Sequence, residues 1–252
     1  MTTVRVTWFK KGLDKEAEAV VVIDVLRFST TIAVALSLGF KHVYVFSDFS
    51  NALDFARSRG LPILAEIHGI KPREADLDNS PSELIKHGAT YLEKGINELV
   101  IRTTSGAAVV DAAVRQGFRH VFISSTVNAR AVAEALLKEG YKNINVVCGG
   151  LDLSKFAVED YVGAGALIDE LISLEPRIFL EDEGLAALYA YRATRKTLLD
   201  LFSKGRSGKI VTSTGHYGDI VIASKVNSFS VVPQATPLQW LSGALVRDKN
   251  KN

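Results

Sequence analysis

Five times along this 252-residue chain, an apolar run ends on side chains able to hold or transform an anion. "VVID" stops at Asp24, and Arg27 and the hydroxyls Ser29, Thr30 and Thr31 follow. "PILAE" ends on Glu66, and "ELVIRT" passes into Thr103, Thr104, Ser105 and Gly106. "HVFISS" passes into Ser124, Ser125, Thr126 and Asn128, and "NINVVC" runs through Cys148 into Gly149 and Gly150. Carboxylates hold cations or move protons, and a guanidinium fork suits phosphate or sulfonate oxygens. Hydroxyls beside the free N–H groups of a helix amino terminus bind phosphate or carboxylate. Each cluster also has a plainer use. The Ser, Thr and Asn groups cap the helices that follow, Asp24 and Arg27 form a structural ion pair, and Cys148 is a small buried apolar side chain.

The elements that must position these groups alternate. Strand patterns cover residues 4–9, 19–24, 42–46, 62–66, 98–103, 120–125 and 143–148; helical patterns cover about 29–39, 50–59, 80–88, 106–117, 127–139 and 158–174. Most of the strands are nearly all apolar, which places them centrally in a sheet covered on both faces. "NSPSEL" supplies a Ser80 cap, Pro81 at the first helical position and Glu83 three residues after the cap, so a helix starts there. Further on, 183–203 reads as one long helix, "GKIVTSTGHYGDIVIASK" as a Gly-containing loop and helix, and "FSVVP" as a final strand. No linker or repeat divides the chain, so residues 1–252 are expected to form a single α/β domain, a three-layer α/β/α sandwich on a mainly parallel or mixed sheet. Ligands of such sheets collect beyond the carboxyl ends of the strands. The polar groups are therefore expected to converge on one cleft.

Composition narrows the partner. Thirty Lys and Arg stand against 28 Asp and Glu, a formal charge of +2, with no basic stripe for nucleic acid. A small anionic molecule fits better, and the chain is open to homodimerisation. One cysteine leaves no internal disulfide and suits a reducing compartment. The opening "MTTVRVTWFKKG" lacks the apolar core of a signal peptide, and no uncharged apolar stretch reaches the roughly 18 residues of a membrane span. A cytoplasmic protein with no membrane partner is expected. There is no GxxxxGK[ST] loop, no GxGxxG after a strand, no GxSxG elbow and no HExxH helix. Leu26 stands where a paired-aspartate phosphatase needs a second acid, and Ser154 where a cysteine phosphatase needs Arg. His68, His87 and His120 show no ligand spacing and read as surface or loop residues, and His216 in "TGHYGD" is a lone histidine in a Gly-rich loop.

Taken in order, "VVIDVLRFSTT", "ILAEIHG", "DLDNSPSEL", "RTTSGAA", "SSTVNA", "VVCGG", "VEDYVGAGAL" and "YGDIVIAS" with "VVP" resemble the 2-phosphosulfolactate phosphatase family, the ComB-like proteins, along nearly the whole chain. The resemblance implies a Mg²⁺-dependent hydrolase that removes phosphate from (2R)-2-phospho-3-sulfolactate in coenzyme M biosynthesis, on a fold of its own type. Four positions depart from the family pattern: Ala75 for Phe, Asp78 for Gly, Ser105 for Asn and Ala107 for Thr. These departures bear on the substrate, so a related phosphatase for another small phosphorylated acid, or a non-catalytic anion-binding relative, remains an alternative.

Phosphate-ester hydrolysis needs neutralised oxygens, a positioned nucleophile and help for the departing alkoxide. On the resemblance, Asp24, Glu66 and Asp160 are the expected Mg²⁺ ligands and, with Arg27 on an anionic oxygen, the expected catalytic set. Asn79, Ser80, Thr103, Thr104, Ser105, Gly106, Ser124, Asn128, Cys148, Gly149 and Glu159 are expected to border the substrate. A metal-bound water is the simplest nucleophile, with Asp24 and Cys148 as covalent alternatives.

Overall fold

The computed structural model describes residues 1–239 and 242–251. The chain runs β1 (Thr3–Trp8), β2 (Ala19–Ile23), α1 (Phe28–Leu38), β3 (His42–Phe46), α2 (Phe49–Arg59), β4 (Ile63–Ala65) and α3 (Pro81–Glu93). Next come β5 (Glu98–Arg102), α4 (Gly106–Arg115), β6 (Val121–Ser124), α5 (Ala129–Glu139), β7 (Asn143–Cys148), α6 (Val158–Leu174) and β8 (Phe179–Leu180). It closes with α7 (Asp182–Thr194), α8 (Leu198–Lys204), α9 (Arg206–Ser213), α10 (Tyr217–Ala223), β9 (Pro233–Pro237) and β10 (Ala244–Asp248).

The ten strands of the described residues join one mixed sheet in the order β4-β5-β3-β10-β9-β6-β2-β7-β1-β8. Alternation along the strands builds a layer on each face. Val20 and Val22 of β2 pack with Val43, Val45, Leu99 and Ile101 against α1, α3 and α4. Val21 and Ile23 face the opposite way, against α5, α6 and α7. In the other half of the sheet, Tyr44, Phe46 and Val100 pack on Ala52, Phe55 and Ala56 of α2. The result is the three-layer α/β/α arrangement that the apolar strands imply. Each fully buried Val or Ile contributes about 1.5–3 kcal/mol, and β2, with five buried residues, is anchored on both faces.

The sheet is two parallel blocks joined by a reversed seam. β9 pairs antiparallel with β6 and with β10, and β10 pairs antiparallel with β3. The block β6-β2-β7-β1-β8 therefore runs opposite in sense to the block β3-β5-β4. Both blocks pack on α1 and α4 in one apolar layer. The loops that follow β2, β4 and β5 nonetheless meet at one cleft, where Asp24, Glu66 and Thr103 share a wall.

The later part of the chain differs from its sequence pattern. The long helix expected over 183–203 is α7 and α8, broken between Arg195 and Thr197, where the Thr197 N–H turns back to the Thr194 carbonyl. "TGH", residues 214–216, separates α9 from α10, turning at Gly215 with φ of 84°. "FSVVP" is not a strand before Pro233; its Val231 and Val232 are buried, and β9 starts where the pattern was expected to stop. The closing strand is β10, which the sequence pattern does not reveal.

Candidate active site

Four acids meet beyond the strand ends. Asp24 follows β2 directly, and its Oδ2 accepts the Gly106 N–H at 2.7 Å, from the first residue of α4. No side chain fits at Gly106: a Cβ there would lie 2.3 Å from Phe28 Cδ1 and 2.7 Å from Asp24 Oδ2. Gly149 packs on another side of Asp24, where an added Cβ would sit 3.2 Å from the Asp24 Cβ. Asp160, on the first turn of α6, accepts the Val25 N–H at 2.8 Å on Oδ1 and the Gly150 N–H at 2.8 Å on Oδ2. It thereby straps together the loops after β2 and β7. Glu66, after β4, accepts the Thr103 hydroxyl and the Thr104 N–H at 2.9 Å each on Oε1, and the Gly69 N–H at 2.7 Å on Oε2. Glu159 lies beside Ser207, and its Oε2 is buried with no hydrogen-bond partner.

This placement gives the hydroxyl clusters definite uses. Thr103, Thr104 and Gly106 donate to Glu66 and Asp24 rather than standing free for an anion. Ser105 accepts the Leu153 N–H at 3.4 Å through its hydroxyl. Ser125 and Asn128 form a reciprocal cap, with the Ser125 N–H bonded to Asn128 Oδ1 at 2.8 Å and the Asn128 amide donating to the Ile123 and Val231 carbonyls. The plainer, capping use therefore applies to "SSTVN". Ser80 caps α3, accepting the Glu83 N–H at 3.2 Å, while Glu83 reaches the Asp78 N–H at 2.8 Å rather than the cap residue itself.

Arg27 is buried and clamped by two acids. Its Nη2 donates to Asp78 Oδ1 at 2.7 Å and its Nη1 to Asp219 Oδ2 at 3.3 Å. Asp219, wholly buried on α10, also accepts from the Ser80 hydroxyl at 2.8 Å and from the Ser82 N–H at 3.0 Å. The sequence reading assigned Asp219 no role. The signal available was an acid in the apolar stretch "DIVIA". His216 lies 3.6 Å from Asp78 and 3.3 Å from Glu83, at the edge of this network.

The cleft encloses about 160 Å³. It is lined by Asp24, Arg27, Glu66, Asn79, Thr103, Thr104, Ser105, Glu159 and Asp160 among the expected site residues. Gly106 and Gly149 back it through Asp24. Ser80, Ser124, Asn128 and Cys148 are not on its wall; Cys148 is fully buried, with its thiol 3.6 Å from the Asp160 carbonyl oxygen. Residues that the sequence reading did not assign complete the lining: Leu26, Gly69, Gly150, Leu151, Asp152, Ser207, Ile210 and Val211, with His68 at the rim 3.7 Å from Asp152.

The electrostatics are those of crowded buried acids. Burial, then repulsion from Glu66 and Glu159, raises the Asp24 pKa to about 7 against the opposing Gly106 N–H. Burial, then Asp24 and Glu159, holds the Asp160 carboxyl well above its ordinary value. Burial also raises Glu159, and pushes the Cys148 thiol well up, so that it stays protonated at neutral pH. Arg27 is the one guanidinium on the cleft wall among the described residues, and its charge is already met by Asp78 and Asp219. A hard cation suits this set. The Glu159 Oε2 and Asn79 Oδ1 are buried oxygens with no partner, and Mg²⁺ takes one or two carboxylates while keeping several waters. No three His, Cys, Asp or Glu side chains among the described residues converge as a complete protein-made metal cage.

An α/β enzyme with a buried acidic cleft at its strand ends is the class these features define. The sequence pattern described as 2-phosphosulpholactate phosphatase matches residues 9–237. The chain is 32% identical over 228 residues to the "Probable 2-phosphosulfolactate phosphatase" of Carboxydothermus hydrogenoformans, covering 89% of each chain. It is 31% identical over 239 residues to the protein of that name from Gloeothece citriformis, covering 93% of this chain and 94% of the relative. With the one from Thermotoga maritima it shares 30% over 218 residues, 86% of this chain and 89% of the relative. The chain belongs to the 2-phosphosulfolactate phosphatase family, which are phosphoric monoester hydrolases.

Proposed function

We propose that this chain is a Mg²⁺-dependent phosphatase that converts (2R)-2-phospho-3-sulfolactate to 3-sulfolactate and phosphate, in the cytoplasm and as a step of coenzyme M biosynthesis. The names its relatives carry support the substrate. The observation that carries the chemistry is the charge balance of the cleft: Asp24, Glu66, Glu159 and Asp160 crowd together while the one lining guanidinium is neutralised by two further acids. A phosphate dianion enters such a cleft only with a cation to offset the repulsion.

Asp24 and Glu159 are the residues that would hold Mg²⁺, with Asn79 contributing its unpartnered oxygen. The Glu66 and Asp160 oxygens are committed to N–H and hydroxyl donors, so these two acids fix the loops around the ion rather than supplying its main ligands. When bound, the ion would neutralise the phosphoryl oxygens and the departing alkoxide. Beside the ion the Asp24 carboxyl would be held ionised, and its oxygen would orient an attacking water. Arg27, fixed at the amino end of α1 by Asp78 and Asp219, orients an anionic oxygen of the substrate. The protonated Cys148 thiol packs behind Asp160 and takes no nucleophilic part.

The clamp on Arg27 also favours a second reading, a phosphatase for a small phosphorylated acid lacking the sulfonate, because Asp78 occupies one arm of the fork that a second anionic group would use. One assay tests both. Phosphate release is followed from phosphosulfolactate, phospholactate and phosphoglycolate, with and without chelator. Fastest turnover of phosphosulfolactate, abolished by chelator and restored by Mg²⁺, is expected. Faster turnover of phospholactate selects the second reading, undiminished turnover in chelator removes the metal, and turnover of none leaves an anion-binding protein.

A further inference from the structure

Among the described residues, four buried side-chain polar atoms have no hydrogen-bond partner: Asn79 Oδ1, Glu159 Oε2, His120 Nδ1 and Tyr141 Oη. Buried polar groups are nearly always satisfied, so each exception needs a reason. The first two line the catalytic cleft, where substrate and cation supply partners. The other two belong to residues that line one separate, open cavity at the surface, of about 710 Å³, whose wall also includes the exposed Lys15, Glu18 and Arg119 and the half-buried Phe118.

We infer that this second cavity is a binding site for a small planar organic anion, an aromatic carboxylate being the simplest form. The chemistry follows from the wall. Among the described residues Lys15 and Arg119 enter no ion pair, and they present two cations against one carboxylate, Glu18, which already accepts the Lys142 N–H at 2.5 Å. Burial raises the Tyr141 pKa to about 12, so its phenol is a donor at neutral pH. The His120 and Tyr141 rings lie 5.0 Å apart, and with Phe118 they offer flat apolar faces for a ring. An anion with a planar body uses both halves of this wall. A bare phosphate would use only the cations.

The location adds a consequence. Glu18, His120 and Tyr141 stand just before β2, β6 and β7. The carboxyl ends of those strands carry Asp24, Ser124 and Cys148. The cavity is therefore at the end of these three adjacent strands opposite the catalytic cleft, and an occupant does not compete with the phosphorylated substrate.

The test uses the intact chain, ¹⁵N-labelled, with benzoate and inorganic phosphate as separate probes followed through amide shifts. Benzoate is expected to move the amides of 117–121 and 141–142 saturably, and phosphate to leave them in place. Arg119→Glu should raise the benzoate Kd at least tenfold. Tyr141→Phe removes a hydroxyl that has no partner in the folded chain, so it should fold normally and still weaken benzoate severalfold. Phosphate release by both variants should match that of the parent. The inference is overturned if benzoate moves no amide in these segments, if its shifts survive both substitutions, or if phosphate shifts them as strongly as benzoate does.

Discussion

Replacing Asp24 by Asn should stabilise the protein at alkaline pH while ending its activity. The Asp24 carboxyl is buried among Glu66, Glu159 and Asp160, and Arg27 is too committed to Asp78 and Asp219 to relieve it. Its pKa rises from 3.8 to about 7, with burial as the leading cause. A rise of that size disfavours the ionised form in the folded chain by about 4 kcal/mol. Between about pH 4 and 7 the folded carboxyl keeps a proton that the unfolded one has released, so stability falls as pH rises through that window. Near pH 8 the full penalty applies, and near pH 4 almost none does. Asn keeps an oxygen for the Gly106 N–H and carries no charge at any pH. In chelator at about pH 8, Asp24→Asn should therefore exceed the parent by about 1–4 kcal/mol, a Tm gain of several degrees for a chain this size. The gain should shrink towards zero near pH 4, and added Mg²⁺ should raise the Tm of the parent but not of the variant. Thermal unfolding across pH with a parallel phosphate-release assay reads all of this. A Tm difference that does not narrow as pH falls, or a variant less stable than the parent at pH 8, would refute the account of the acidic cluster.

Gly106→Ala should cost about 1–3 kcal/mol by overpacking and at least tenfold in phosphate release, because the new methyl meets Phe28 and Asp24; urea denaturation and kinetics check it, and parent-like activity would contradict the contact. Cys148→Ser should retain activity within about tenfold, since the thiol is buried and protonated; a folded but dead variant with a phosphorylated cysteine trapped in the parent would reverse that assignment. Asp219→Ala should lower stability by about 3 kcal/mol, leaving Arg27, Ser80 and Ser82 short of an acceptor. An unchanged urea midpoint would show that Asp78 alone holds the guanidinium.

Strand identity is legible in the sequence wherever both faces are covered. "HVYVF" and "NINVVC" match β3 and β7 end to end, because strands covered on both faces need mostly apolar residues. β9 is illegible for the opposite reason: "PQATP" has prolines at both ends and exposed residues, and it forms only because β6 and β10 flank it. The acids Asp24, Glu66 and Asp160 are readable from their place at the ends of apolar elements. Their partners are not, since the N–H groups that hold them come from residues as far as 135 positions away. Asp219 escapes the sequence reading because its role depends on Arg27, 192 positions earlier. Ser124 and Asn128 show the converse, a polar cluster at a strand end whose bonds all go to backbone groups rather than to the cleft.

The seam formed by β9 and β10 lies between β6 and β3 in the sheet yet comes last in the chain. During synthesis every other strand leaves the ribosome first, and the two parallel blocks must wait with facing edges unpaired until residues 233–248 emerge to zip them together. The nascent protein thus passes through a stage in which most of its acids are already synthesised while β6 and β3 stand open to other chains. Unpaired strand edges of this kind template pairing with other chains, so the seam is the part of the fold whose late arrival exposes it to misassembly.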